Sequence, residues 1–320
     1  MLADHISSPV DDAIRRAVAF LEKTQLPDGE VPLLVSDQPD HSLFPTALAA
    51  YSLAFVPEAA AVRARALDFL EREMEPRGVW QHRARSHPAH DGLVADADDT
   101  ACAAAALRLA GRAVPDVATI LLANRTRDGR FRTWLPTFAD LRKPRALWDL
   151  FVRGTASISD VDAVVNANVL HFVGAARCEA VVEWLLTILR EDRETDCDKW
   201  YDNPFGVWYF FSRALVPTFG EASEIITRKV RAAVPQTALE YALRISTLAN
   251  CGVAATVTEL LELQTERGSW PSASLYNVGR VRRRDGTFVP GTGDWMTFRS
   301  EELTTAFALE ALGRHRAGRT

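Results

Sequence analysis

Apolar residues recur at helical spacing along nearly the whole chain, as in Ile14, Val18, Phe20 and Leu21 or Val181, Val182, Leu185, Leu186 and Leu189. Taking Pro, Gly and Asp clusters as breaks, the pattern predicts helices over 10–24, 44–55, 60–74, 98–110, 115–124, 139–152, 161–174, 178–191, 206–215, 222–234, 237–250, 254–264 and 300–315. Convincing strand alternation is scarce.

Between these segments a short pattern repeats: Gln25 to Val31 around Gly29, Met74 to Trp80 around Gly78, Arg125 to Phe131 around Gly129, and Gln264 to Trp270 around Gly268. The first three glycines are 49 and 51 residues apart, the length of a helix pair with its loops, so the unit reads as a repeated helical hairpin. A closed ring of hairpins follows. Each glycine permits a tight turn at a helix end, and the aromatic that follows in three copies can pack onto the next hairpin.

With 320 residues, 48% hydrophobic and 25% charged, the chain can bury a large core, as one big or two modest domains. A net charge of -5 and a pI near 5.9 argue against nucleic acid as a partner. Cys102, Cys178, Cys197 and Cys251 lie far apart with no CxxC, which suggests neither a zinc ribbon nor a disulfide framework and leaves a reducing cytoplasm as the simple expectation. Asp4, Asp11, Asp12 and Glu22 break any signal-peptide pattern, and no apolar run approaches the roughly 20 residues of a membrane span. The expectation is a soluble protein whose apolar loops leave room for peripheral membrane contact.

Candidate chemistry centres on Asp96-Ala97-Asp98-Asp99-Thr100-Ala101, at the start of an alanine-rich helix. Asp96 can be the N-cap, with Asp98 and Asp99 meeting free N–H groups and the positive end of the helix dipole. Acids crowded beside apolar residues can also keep a proton at neutral pH, as an enzyme that protonates a weak base requires.

The last repeat, Gln264-x-x-x-Gly268-x-Trp270, resembles the QW motif of squalene-hopene cyclases and related terpene cyclases, and the DxDDTA string resembles their acid motif. A protein prenyltransferase subunit or another α/α toroid would also carry such a repeat. Three further segments are similar to that family: Val165 to Gly174, in which Asn168 stands where the family has a histidine against the acid and His171 follows one turn later; the aromatic Trp200 to Phe211; and Gly293 to Phe298 before the last helix.

The resemblance implies an all-α fold, a single (α/α)6 barrel covering residues 1–320 as one domain, similar to monodomain class II terpene cyclases that act on prenylated aromatic acids. It implies Asp98 as the proton donor to a terminal alkene, Asp96 and Asp99 as supports, and Asn168 as a hydrogen-bonding partner. Phe205, Trp208, Tyr209, Trp295, Phe298 and His171 are its candidates for contact with a hydrophobic isoprenoid substrate. No cofactor is expected, with magnesium entering only if the head group is a diphosphate.

Arg280-Val-Arg282-Arg283-Arg284 can hold a diphosphate or carboxylate, or can be a solvated basic hairpin. His82, His87, His90 and Asp91 fit no common zinc spacing, so no metal site is expected. Two other functions remain open: a barrel that binds isoprenoids without chemistry, and a glycoside-processing toroid, whose two acids would be spaced apart rather than clustered.

Overall fold

The computed structural model of the chain describes residues 8–138, 140–153, 156–283, 287–291 and 295–318. Its helices are α1 (Pro9–Thr24), α2 (Leu43–Ser52), α3 (Ala60–Glu73), α4 (Ala97–Leu109), α5 (Val117–Ala123), α6 (Pro144–Trp148), α7 (Ala163–Val173), α8 (Glu179–Arg190), α9 (Pro204–Leu215), α10 (Gly220–Ala232), α11 (Ala238–Asn250), α12 (Thr258–Glu262) and α13 (Glu301–Ala317). Helices α2, α4, α7, α9, α11 and α13 touch in sequence, and α13 returns to α2, so they close a ring.

Burial separates the ring from what surrounds it. Every residue of α2 is buried, as are Ala97 to Leu107 of α4 and Phe205 to Leu215 of α9. Helices α1, α8 and α10 bury one stripe and leave a charged face to solvent. A helix apolar all round belongs inside and an amphipathic one outside, which is how these segments are distributed.

The repeated glycine turns join the helix pairs. All four glycines have positive φ, and in each turn the glycine N–H donates to the carbonyl three residues back. The Trp80 indole N–H donates to the Leu70 carbonyl at 2.8 Å, and Trp270 repeats this with the Leu260 carbonyl at 2.6 Å. Each turn also lies against the next outer segment, at Arg65, Pro115, Ala180 and, for the last copy, Arg16 of α1. Gln264 fastens that last contact, its amide donating to the Ala13 carbonyl at 2.9 Å. The fourth turn therefore joins the end of the outer layer to its beginning.

The structure corrects the all-α expectation. Strands β1 (Leu33–Val35), β2 (Gln38–Asp40), β3 (Ala273–Val278) and β6 (Met296–Ser300) form an antiparallel sheet in the order β2-β1-β6-β3, and β4 (Arg280–Arg282) pairs with β5 (Phe288–Pro290). These strands are short, and β1 and β6 at the centre of the larger sheet come from distant parts of the sequence, so local alternation is weak. The helix predicted over 139–152 is also broken, into a 3-10 turn at Asp140–Arg142, α6, and a π turn at Asp149–Arg153; Ala139 lies outside the described residues. No helix among the described residues is long and apolar enough to cross a membrane.

A Cβ at Gly268 would fall 2.5 Å from the Arg16 carbonyl oxygen, at φ +88°, whereas Gly111 at φ +70° has nothing within 4 Å. Gly268→Ala therefore combines about 1–2 kcal/mol of left-handed strain with about 1–3 kcal/mol of overpacking, and Gly111→Ala meets only the strain. Denaturant unfolding of the two variants should show the larger loss at Gly268; equal losses would contradict the close docking of that turn on α1.

Candidate active site

The acidic string performs both of the tasks that its composition allows. Asp96 caps α4, its Oδ1 accepting the Asp99 N–H at 2.8 Å, and all three aspartates are buried. Asp98, within the first turn, is held at both oxygens. Asn168 Nδ2 on α7 donates to Oδ1 at 2.7 Å, and the Tyr201 hydroxyl donates to Oδ2 at 2.7 Å.

Arg213 on α9 completes the arrangement, its Nη2 donating to Asn168 Oδ1 at 2.7 Å. A guanidinium has only donors, so this contact fixes which way the amide points and turns its NH2 toward Asp98. Arg213 is buried against the faces of Tyr51, Tyr209 and Phe210, at 4.5, 5.1 and 5.0 Å from the ring centroids. Such faces stabilise a cation without supplying a carboxylate.

Asp198 anchors both partners of Asp98. Its Oδ2 accepts the Val164 N–H at 2.7 Å, at the start of the helix that carries Asn168. Its Oδ1 accepts the N–H groups of Trp200 at 2.8 Å and Tyr201 at 3.1 Å.

Burial pushes the Asp98 carboxyl up to about 7, against the pull of the Tyr201 and Asn168 hydrogen bonds, which favour the charged form. Asp99 is pushed to about 7, chiefly by burial, and Asp96 is raised well above the carboxylate range by burial and by Asp99. Among the described residues no N–H or O–H donor is in contact with the buried Asp99 Oδ1, while its Oδ2 lies 3.7 Å from His82 Nδ1. Burial holds His82 below the usual histidine pKa, which favours its neutral form.

Above these acids lies a cavity of about 360 Å³. Asp96, Asp98 and Asp99 border it, together with Phe44, Trp134, Trp200, Tyr201, Tyr276 and Phe298 and the apolar Val35, Leu93, Leu150, Val165, Val278 and Met296. The four-stranded sheet covers one side, where the Tyr276 and Phe298 rings stack with centroids 4.6 Å apart.

Of the aromatic residues singled out for substrate contact, the structure brings Phe298 to this cavity and not the others, and from the aromatic segment Trp200 to Phe211 it brings Trp200 and Tyr201. Trp295 precedes β6 and is half-exposed, packed on Gly279. Met296 and Phe298 face the cavity, as the two-residue period of a strand requires. Gly293 and Asp294 lie outside the described residues.

Phe205, Trp208 and Tyr209 are buried away from the cavity. Phe205 packs on Trp208, whose indole donates to Glu194 at 3.0 Å, and the Tyr209 hydroxyl donates to Glu310 at 2.8 Å. Because α9 is apolar all round, its composition does not reveal which face points inward. His171 also lies off the cavity, its Nδ1 3.1 Å from the Arg213 carbonyl oxygen and its pKa pushed down to about 3 by burial.

Arg280 is buried and consumed by three carbonyls, of Asp198, Thr195 and Phe288. Arg282 and Arg283 are exposed, and Arg284 lies outside the described residues. The three histidines diverge, His82 to Ser42 and Asp99, His87 to Asp40, and His90 to Gln81 and Glu75. Among the described residues, no group of three or more His, Cys, Asp or Glu side chains is placed to hold a metal.

Sequence reading missed Arg213, Phe44, Trp134 and Tyr276, and within the aromatic segment Trp200 to Phe211 it did not single out Tyr201. Arg213 carried a legible signal, as the one charge in the otherwise apolar stretch from Phe205 to Leu215.

No family model matches the chain, and no curated protein matches it. Among solved structures it is similar to a protein from Actinoplanes, at 21% identity over 97% of this chain and 100% of that one, with a TM-score of 0.67. It is also similar to a variant of the type II terpene cyclase MstE from Scytonema in complex with geranylgeranyl dihydroxybenzoate, at 17% identity over 97% and 98% of the chains and a TM-score of 0.73. A second MstE variant, without ligand, gives a TM-score of 0.72 at the same identity and coverage. What the chain shares with these proteins is the fold, that of the type II terpene cyclases.

A folded-state pKa near 7, above the usual 3.8, means that Asp98 contributes stability that is complete below about pH 3.8 and lost between there and about pH 7. Asp98→Asn cannot lose it. The melting temperature of the variant relative to wild type should therefore rise from pH 4 to pH 7 and level off above. A gap independent of pH would show that Asp98 is not forced to keep its proton.

Proposed function

We propose that this protein is a class II terpene cyclase, an enzyme in which Asp98 protonates the terminal alkene of a linear polyprenyl substrate and thereby starts carbocation polycyclisation. The observation that carries the reading is the Asp98 carboxyl, raised to about 7 by burial and held at both oxygens by Asn168 and Tyr201, at the wall of a cavity lined by aromatic rings. The proposed enzyme is one (α/α)6 barrel over residues 1–320, acting on a prenylated aromatic acid or a prenyl diphosphate, with magnesium needed only for the latter. The complex of MstE with geranylgeranyl dihydroxybenzoate supports that substrate class.

In the first step the Asp98 O–H bond breaks as a C–H bond forms at the terminal alkene carbon. The alkene π electrons make that bond and leave a tertiary cation. The proton donor becomes a carboxylate that Asn168 and Tyr201 already address with hydrogen bonds, and Arg213 stands behind Asn168. Donors in place before charge develops need no reorganisation as the proton moves. The cation then passes through successive ring closures, and a final deprotonation returns a proton, so that substrate and product are isomers.

Cations in the cavity lie beside the rings of Trp134, Trp200, Tyr276 and Phe298, and each ring face they reach is worth about 0.5–2 kcal/mol when water is excluded. The same walls keep water, a far better base than an alkene, away from Asp98.

Purified protein incubated with geranylgeranylated hydroxybenzoate, or with farnesyl or geranylgeranyl diphosphate with and without magnesium, should give a cyclised product of unchanged mass. Asp98→Asn should lower the rate by about 10²–10⁴-fold. Activity should fall as pH rises through about 7, and Tyr201→Phe, by removing a hydrogen bond that favours the carboxylate, should move that fall to higher pH. Failure of every substrate to cyclise would sink the proposal, and full activity in Asp98→Asn would remove its central residue.

A further inference from the structure

The cavity has two basic side chains on its wall, His82 and Arg83. Burial favours a neutral His82, which leaves Arg83 as the permanent cation. Its Nη1 donates to the Ala89 carbonyl at 3.0 Å, and among the described residues it has no carboxylate within ion-pair distance. Asp40, the acid whose charge it feels, is taken by His87 at 2.9 Å and by the His41 N–H at 2.8 Å.

A half-buried guanidinium with no carboxylate in direct contact is incompletely compensated, and an arriving anion offsets that. The planar fork suits a two-point contact with carboxylate or phosphate oxygens. Of the acids on the wall, Asp96, Asp98 and Asp99 are all raised by burial, which lowers their charge near neutral pH, and Asp40 is engaged by His87 and the His41 N–H.

Position agrees with charge. Arg83 sits beside Ser42 in an isolated antiparallel bridge, and its head reaches the loop at Ala89 to Gly92, where Ala89 and Asp91 are exposed. Arg83 therefore marks the outer part of a cavity whose floor is the buried Asp98.

We infer that Arg83 is the head-group residue of this cavity, binding the anionic end of a prenyl substrate, carboxylate or diphosphate, while the opposite end of the chain lies at Asp98. The inference rests on the cyclase reading, whose two candidate substrates both carry an anionic head, and assigns that head to one residue of the cavity wall. It also moves the anion site away from Arg280, which is occupied by backbone carbonyls, and from the exposed Arg282 and Arg283.

The test measures binding without turnover, in the Asp98→Asn protein, with three probes: a geranylgeranylated hydroxybenzoic acid, its methyl ester, and geranylgeranyl diphosphate with and without magnesium. Adding Arg83→Gln should weaken the acid, the diphosphate or both by about 10–100-fold, the effect of losing a charge-assisted pair, and change the ester by less than about twofold. The probe that loses more identifies the head group.

Arg83→Lys keeps the charge without the fork and covers the case of a misfolded Gln variant. It should weaken the preferred anion several-fold and spare the ester. Equal weakening of acid, diphosphate and ester, or no weakening of either anion, would overturn the assignment while leaving the cyclase reading intact. Failure of the Asp98→Asn protein to bind any of the probes would remove the cyclase reading and this inference with it.

Discussion

The burial of Asp98 without a cation in contact is the constraint around which the site is arranged. An arginine at hydrogen-bond distance would pull the carboxyl down by one to three units and leave no proton to deliver. Arg213 stands one residue further back, with the Asn168 amide between them. The neutral amide carries a donor to Asp98 and passes on only part of the field of the cation. The carboxyl therefore keeps a proton near neutrality, yet its charged form is already met by two donors. A histidine in place of Asn168 would titrate, whereas the amide presents the same face at every pH.

That arrangement depends on parts that never touch the cavity. The aromatic faces around Arg213 let a cation remain dry, and Asp198 ties the start of α7 to the Tyr201 turn through backbone N–H groups. Lys199, on the same segment, forms a buried pair 2.9 Å long with Asp160, which precedes α7. Removing one partner of such a pair strands a charge, so the segment holding Tyr201 is fixed by electrostatics as well as by packing.

The helical ring was largely legible in the sequence, because the apolar period and the glycine turns are local signals. Asp98 and Asn168 were legible for another reason, each lying in a short motif. The cavity wall was not. Tyr276 and Phe298 stack only because β3 and β6 pair across the chain, and no window of sequence holds both. The aromatic run in α9 misled for the complementary reason, since a helix buried on all sides spreads its rings in every direction and only Arg213 marked the face toward Asn168. The two sheets were missed because strands of three to six residues gain their order from partners, not from propensity.

The covering sheet joins β1, near one end of the chain, to β6, near the other, with Leu34 opposite Arg299 and Val35 opposite Phe298. During synthesis at about 5–20 residues per second, the acid motif leaves the ribosome long before the strand that shelters it. The cavity wall beside the acids is thus completed late, by strands far along the chain, after the whole acid motif has been made.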